Sequence, residues 1–395
     1  MKKNCFLLFI CFAVLTSVSY GQQNKIEKST PLFSIEQNGK FGYIDNTGKV
    51  VIEPKYDQDY MEHSFTEGLA MVKIDKKYGY IDKTGKVVIE LQFDAADSFS
   101  EGLAKVKIGE KFGYIDKTGK IVIEPEFDDA DSFSEGLAIV NIGKKYGYID
   151  KTGKVVIEPK YDQDYMEHSF TEGLAMVKID KKYGYIDKTG KVVIEPKYDR
   201  AYPFTEGIAN VKIGKKFGYI DKTGRYIIDP QFNDAGYFKE GKAQVKKGQK
   251  FGYIDKTGKY IIDPQFTFAK PFSEGLALTG NGGYGSSFEF VGGFRSILKL
   301  GTSKTKMWFI DKTGEIAIDL QIHEVKEILL PGFSEGLAAV KIGNKWGFID
   351  KTGKLVIEPK FDIAWSFSEG LARVMINNKY CYIDKTGKYV WEPTN

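Results

Sequence analysis

The chain has 395 residues, 42% of them hydrophobic, and its 28 Phe and 24 Tyr carry more buriable surface than a disordered chain does. Lys and Arg total 57 against 53 Asp and Glu, a net +4, so composition offers no clustered basic excess for nucleic acid. Only 4 Trp accompany the other aromatics, and 12 Pro with 43 Gly point to strands and frequent turns, not long helices.

Lys2 and Lys3, the apolar run from Phe6 to Val18, and Ser19 and Gly21 beside a cleavage point predict a signal peptide over residues 1–21. The run is shorter than the ~20 residues a membrane helix needs, and no later segment reaches that length. The mature protein is therefore expected to be exported (periplasmic, cell-surface or secreted) with no membrane span. Residues 22–31 read as a short linker. Cys5 and Cys11 leave with the leader, so Cys381 has no partner for an intrachain disulfide.

From residue 32 to 395 one unit recurs. The string aromatic-Gly-aromatic-Ile-Asp starts at Phe41, Tyr78, Phe112, Tyr146, Tyr183, Phe217 and Phe251, with variants at Met307, Trp346 and Tyr380. The spacings are 37, 34, 34, 37, 34, 34, 56, 39 and 34, which sets a basic unit of 34 residues. Residues 47–90 are identical to residues 152–195, so a block of three units was copied whole. A Phe-x-Glu-Gly string occurs nine times, from Phe65 to Phe367, each time between two units. Ten units joined by nine linkers suit an array in which each unit touches its neighbours.

Within the unit Leu103–Gly136, the alternation from Leu103 to Ile108 predicts a first strand and Phe112 to Asp116 a second. Asp116-Lys117-Thr118-Gly119 predicts a tight hairpin, with Gly119 left-handed and Asp116 accepting backbone N–H groups. Ile121 to Glu124 is a third strand, closed by Pro125. Gly113, between two aromatics, predicts a close approach by another backbone or ring. The expected fold is all-β: ten tandem three-stranded antiparallel units in an open β-solenoid. A closed propeller-like ring is the alternative, disfavoured because ten units exceed the usual 4–8 blades and neither end supplies a spare strand.

Lys345-Trp346-Gly347-Phe348-Ile349-Asp350, followed by Val356-Ile357-Glu358-Pro359 and Phe367-Ser368-Glu369-Gly370, resembles the bacterial WG-repeat family. The resemblance runs over about residues 32 to 393, with Phe or Tyr replacing Trp in most units. It implies a β-rich scaffold, often exported, without a family-wide enzymatic activity.

Chemistry is sparse in the sequence. Ser of the Phe-Ser-Glu-Gly string is Thr or Lys in other copies, which suits loop capping and not a nucleophile. His63, His168 and His323 read as dispersed loop histidines, and no zinc spacing is present. The Asp of each hairpin is followed in nine units by Lys, which opposes a cation. Gly280-Asn281-Gly282-Gly283-Tyr284-Gly285 matches a nucleotide-loop string but lacks the helix that would make it one. No metal, cofactor or catalytic residue is assigned, and the chain is expected not to be an enzyme. Candidate binding residues are Tyr284, Phe288, Phe290 and Phe294 in the insertion spanning 279–306, and Tyr114, Tyr148 and Tyr219 as outward tyrosines. The expected partner is a protein or a cell-envelope polymer bound along an extended β surface. A glycan or peptidoglycan stacked on exposed aromatics is the alternative.

Overall fold

A strand that carries apolar side chains on both faces needs cover on both, and the repeat supplies it by stacking each unit between two others. The computed structural model describes residues 30–57, 64–162, 168–282, 288–291, 295–299 and 306–393. Pro31–Asn395 form one unit made of ten antiparallel sheets, one per repeat. These are the blades of a closed propeller, numbered here in chain order.

Blade three shows the pattern. Its first strand, Leu103–Ile108, pairs with its second, Lys111–Asp116, placing Lys105 opposite Tyr114 and Val106 opposite Gly113. The third strand, Ile121–Phe127, pairs back with register shifts on either side of Ile123. A two-residue strand that the sequence did not suggest, Ala95–Ala96, pairs outside the first strand and makes the sheet four-stranded. It is built from the linker, and its Ala96 is buried against the seam. Blades four, six, seven, eight and ten carry the same short strand.

The register shift explains the glycine between the aromatics. A Cβ on Gly113 would lie 2.5 Å from Ile123 O, 2.7 Å from Pro125 N and 2.9 Å from Glu124 C, so the bulged third strand leaves it no room. Eight blades repeat this crowding. The two exceptions are the blades whose third strand makes no bulge opposite that position. In blade eight Trp308 replaces the glycine, and the third strand, Ile316–Asp319, passes into a 3-10 helix, Leu320–His323. In blade ten Cys381 replaces it, and pairing ends with Tyr382 opposite Trp391.

The Asp-Lys-Thr-Gly hairpins take the expected form. Asp116 Oδ1 accepts from the N–H of Thr118 at 2.8 Å, its hydroxyl at 2.6 Å and the N–H of Lys120 at 3.1 Å. Gly119 is left-handed at φ +87°, and a Cβ there would press on Ile89 of the preceding blade at 3.1 Å. The turn is thus also an inter-blade contact.

Each apolar cluster belongs to two consecutive blades. Leu103, Tyr114, Ile123 and Phe127 of blade three pack with Ala130, Phe133, Ala138, Val140 and Ile149, which lead into and build blade four. Among the described residues a polar clasp accompanies eight of the ten seams. Glu101 Oε2 accepts from Gly136 N–H at 2.9 Å and from Lys151 Nζ at 3.0 Å, both from the next repeat. The same pattern begins at Glu67 with Gly102 and Lys117, and continues to Glu335 with Gly370 and Lys385.

The array closes, so the open solenoid is replaced by the ring. Ile35 and Ile44 of blade one share a cluster with Leu371, Tyr382 and Trp391 of blade ten. Tyr382 Oη donates to Ser34 O at 2.8 Å, and the Phe33 and Tyr382 rings lie 5.6 Å apart. Closure needs no strand shared between the chain's two ends, because every seam is made by side chains packed face to face. That is the reason the missing spare strand did not prevent it.

The 56-residue spacing is resolved as a cross-blade tie. Residues Phe288–Val291 and Arg295–Lys299 pair as a hairpin, and the second of these strands pairs with Val325–Ser334 at the edge of blade nine. Ile297 and Leu298 are buried there, so an insertion within blade eight extends the sheet of its neighbour to six strands.

Two outcomes check this architecture. Gly113→Ala should destabilise the protein by about 1–3 kcal/mol in urea unfolding, whereas Cys381→Gly should cost less than half as much. Acid should loosen the clasps. Burial disfavours the charged Glu101 carboxylate, but the Lys151 hydrogen bond and the Gly136 N–H outweigh it and hold the pKa below its ordinary value of 4.5. A carboxyl with a depressed folded pKa stabilises above its unfolded pKa and loses that contribution as pH falls through the folded one. The melting temperature should therefore fall steeply below about pH 4, and Glu101→Gln should blunt the drop.

Candidate functional site

The second-strand tyrosines do not face outward. Tyr114, Tyr148 and Tyr219 are 0%, 1% and 0% exposed. The second strand lies inside its sheet, and alternation turns these rings into the seam with the next blade. Tyr114 Oη donates to Asp131 O at 2.7 Å, and its ring meets Phe133 edge-on with centroids 4.9 Å apart. Tyr148 reaches His168 O at 2.8 Å and Tyr219 reaches Gly236 O at 2.8 Å. Burial drives the Tyr114 phenol far above its ordinary pKa, with Asp131 and Asp97 adding to the effect. These residues pin blades together and offer no stacking surface to a sugar.

His168 is also interior, not an exposed loop histidine. It is 6% exposed, stacks on Tyr146 with centroids 4.6 Å apart, and places Nδ1 3.0 Å from Met176 O. His63 lies outside the described residues. His323 sits on the 3-10 helix of blade eight. Phe288 and Phe290 belong to the inserted hairpin, whose backbone is described, while Tyr284 and Phe294 lie outside the described residues. The glycine string starts within the strand Ala277–Asn281, and its last three residues are likewise outside them. Among the described residues, no group of three or more His, Cys, Asp or Glu side chains has a metal-binding arrangement.

What distinguishes one blade from the next is a different set of positions. Six of the nine linkers run from a buried Ala to a buried Phe, and the two residues between them change: Asp97-Ser98, Asp131-Ser132, Tyr202-Pro203, Gly236-Tyr237, Lys270-Pro271 and Trp365-Ser366. In five of the six pairs the first residue is held beside a first-strand residue that also changes. Asp97 N–H donates to Lys105 O, Asp131 N–H to Ile139 O, Gly236 N–H to Gln244 O and Trp365 N–H to Arg373 O. Side chains meet at the same place. Lys105 Nζ is 3.0 Å from Asp97 Oδ2, and the Arg373 guanidinium lies over Tyr380 and Trp365, 3.8 Å and 5.6 Å from their ring centroids.

The pairs in neighbouring blades sense one another. One side of Asp131 is open to solvent, yet its carboxyl is held above the ordinary range. Desolvation is the largest cause, Lys105 opposes it, and Asp129 and Asp97 add to it. Desolvation likewise lowers the Lys270 ammonium. Tyr237, at 46% exposure, is among the most open large side chains of the chain. A constant frame thus presents a varied row of acidic, basic, aromatic and small groups.

The repeat pattern named WG containing repeat matches nine consecutive segments: residues 41–78, 78–112, 112–146, 146–183, 183–217, 217–251, 251–284, 309–346 and 346–380. The chain belongs to the WG-repeat family. No curated protein matches the sequence. Among solved structures, a eukaryotic initiation factor is similar at 10% identity over 93% of this chain and 100% of that one, with a TM-score of 0.52, a likeness of fold alone. BamB from Moraxella catarrhalis matches at 10% identity over 83% of this chain and 97% of its own, with a TM-score of 0.37. PorZ, a surface component of the type-IX secretion system of Porphyromonas gingivalis, matches at 10% identity over 91% of this chain and 59% of its own, with a TM-score of 0.25. At those scores neither bears on fold or function.

The pair that gives WG repeats their name is architectural here. Trp346 is 1% exposed, and Gly347 is crowded by Ile357 O at 2.5 Å. The variation of this WG-repeat chain lies in the linkers, whose residue pairs do not recur from blade to blade. Tyr114→Phe should cost about 1–2 kcal/mol, read by thermal unfolding, because Asp131 O loses its buried donor. It should leave binding to any glycan unchanged.

Proposed function

We propose that this protein is an exported, non-enzymatic scaffold that binds a protein or a cell-envelope polymer through the ring of varied linker residues. The observation that carries the reading is the confinement of variation: hairpin, seam and clasp residues are nearly uniform among blades, whereas the linker pairs and their first-strand neighbours differ in charge, size and aromaticity. A partner spanning several blades meets a different group at each, so specificity comes from the order of side chains and strength from many modest contacts. The leader-like first 21 residues support export, and seams made by packing suit an exported chain whose thiols cannot pair within it. No set of acid, base and nucleophile recurs at a fixed place, which supports binding over turnover.

The glycan version loses Tyr114, Tyr148 and Tyr219 and rests on Tyr237 and Trp365. A variant in which Tyr202-Pro203, Gly236-Tyr237, Lys270-Pro271 and Trp365-Ser366 all become Asp-Ser tests the ring. Its melting temperature should stay within a few degrees of the parent. Capture of envelope proteins and of purified peptidoglycan should both be measured; unchanged capture of a ligand bound by the parent defeats the proposal. N-terminal sequencing of the protein from intact cells should return Gln22, and a retained Met1 would defeat export.

A further inference from the structure

The two turns of a blade lie at opposite ends of its second strand, so the ring has a hairpin face and a face made by the turns between first and second strands. On the hairpin face the cations are answered. In blade six Lys222 meets Glu172 and Arg225 meets Asp221, and in blade seven Lys256 meets Glu206. On the other face, the lysine that opens the second strand is answered in six blades by an aspartate at the end of the third. Lys40 pairs with Asp57, Lys77 with Asp94, Lys111 with Asp128, Lys145 with Asp162, Lys182 with Asp199 and Lys345 with Asp362.

Blades six and seven depart from that rule. Asn233 and Thr267 stand where the aspartate would. Asn233 keeps the structural contact, since its Oδ1 accepts from Gly248 N–H at 2.8 Å as Asp199 Oδ2 accepts from Gly214 N–H at 2.6 Å, but it brings no charge. Lys250 has the neutral Asn281 Oδ1 at 3.2 Å instead of a carboxylate. Lys216, and Lys215 and Lys247 on the turns, are exposed and have no carboxylate partner among the described residues. Lys212 and Lys246 lie over Phe217 and Phe251, and Arg200 stands opposite Lys212. The carboxylates brought to this part of the face are Asp199, held by Lys182, and Asp234, opposite Lys246. The turns themselves add a second feature. Those of blades four, five and six read Ile142-Gly143-Lys144-Lys145, Ile179-Asp180-Lys181-Lys182 and Ile213-Gly214-Lys215-Lys216. Each closes in the same register, the isoleucine opposite the second lysine, so the tips end level. Ile142 and Ile213 are 51% and 40% exposed, among the most open large apolar side chains of the chain.

We propose that the arc of turns on blades four to seven is a docking face for an anionic lipid surface, its lysines set against the head groups and Ile142 and Ile213 reaching the acyl boundary. Three observations fit that one occupant. Level tips match a plane. Lysines brought near an anionic leaflet are each attracted to it, and here the aspartates that would cancel them are replaced by Asn233 and Thr267. Exposed isoleucines gain free energy only where apolar matter receives them, which a soluble polyanion does not offer. The arc uses none of the linker pairs, so it stands apart from the binding ring proposed above and does not depend on it.

Cosedimentation of the full-length gene product, purified from cells, tests this with vesicles of equal parts phosphatidylglycerol and phosphatidylcholine and with vesicles of phosphatidylcholine alone. Binding to the anionic vesicles should exceed binding to the neutral ones at least about tenfold and should fall as salt is added. Lys215→Glu combined with Lys216→Glu and Lys247→Glu should weaken it at least about tenfold. Lys86→Glu combined with Lys120→Glu and Lys354→Glu makes the same change in net charge on the hairpin face, and should weaken it less than about twofold. Ile142→Ser combined with Ile213→Ser should weaken vesicle binding at least about threefold and leave binding to soluble polyphosphate unchanged. No preference for anionic vesicles, equal weakening by the two lysine variants, or an isoleucine variant that binds vesicles like the parent would each overturn the proposal. The last result would assign the arc to a soluble polyanion instead.

Discussion

No blade of this protein is complete by itself, and that constraint governs the rest. Leu103, Tyr114, Ile123 and Phe127 lie on one face of blade three, while Ala104, Val106 and Ile115 lie on the other and pack with blade two. Burying a large apolar side chain is worth about 1.5–3 kcal/mol, so a seam with seven or eight such residues, as on the two faces of blade three, dominates what a short meander gains from its own ladders. Stability is therefore a property of neighbours, and the ring form lets every blade have two.

Apolar packing alone does not fix how far one blade turns relative to the next. The polar contacts of the eight clasped seams do that. The linker Glu is left-handed, at φ +53° for Glu101, and grips the following linker and the following hairpin at once. An exposed ion pair is worth little by itself. Here the carboxylate also accepts a backbone N–H, and the hairpin bearing the lysine packs its glycine on the preceding blade's Ile. Orientation is set by several short contacts that cannot all be met at another angle.

Much of this was legible in the sequence because it is local. The period, the Asp-Lys-Thr-Gly hairpin and the crowded glycine each follow from residues close in the chain, and the two glycine exceptions coincide with the two irregular third strands. Closure was not legible, since it depends on small rotations accumulated over ten blades, which no single unit encodes. Tyr114 was misjudged for a related reason. A strand alternating against one core turns such a ring outward, whereas a blade is covered on both faces, and the Tyr114 hydroxyl is satisfied by Asp131 O. His168 was misplaced because an insertion in its linker disguised the position it shares with Asp131. The varied pairs emerge only when the constant frame is subtracted.

The verbatim copy of residues 47–90 at 152–195 has a consequence for heredity. Misaligned exchange between the two stretches would delete three blades without interrupting the reading of any hairpin or clasp. The shortened chain would still have to meet its own beginning, and the angle between successive blades would rise from about 36° to about 51°. Ten is thus easy to lose in the gene and hard to abandon in the folded molecule, where every glutamate would need a new reach.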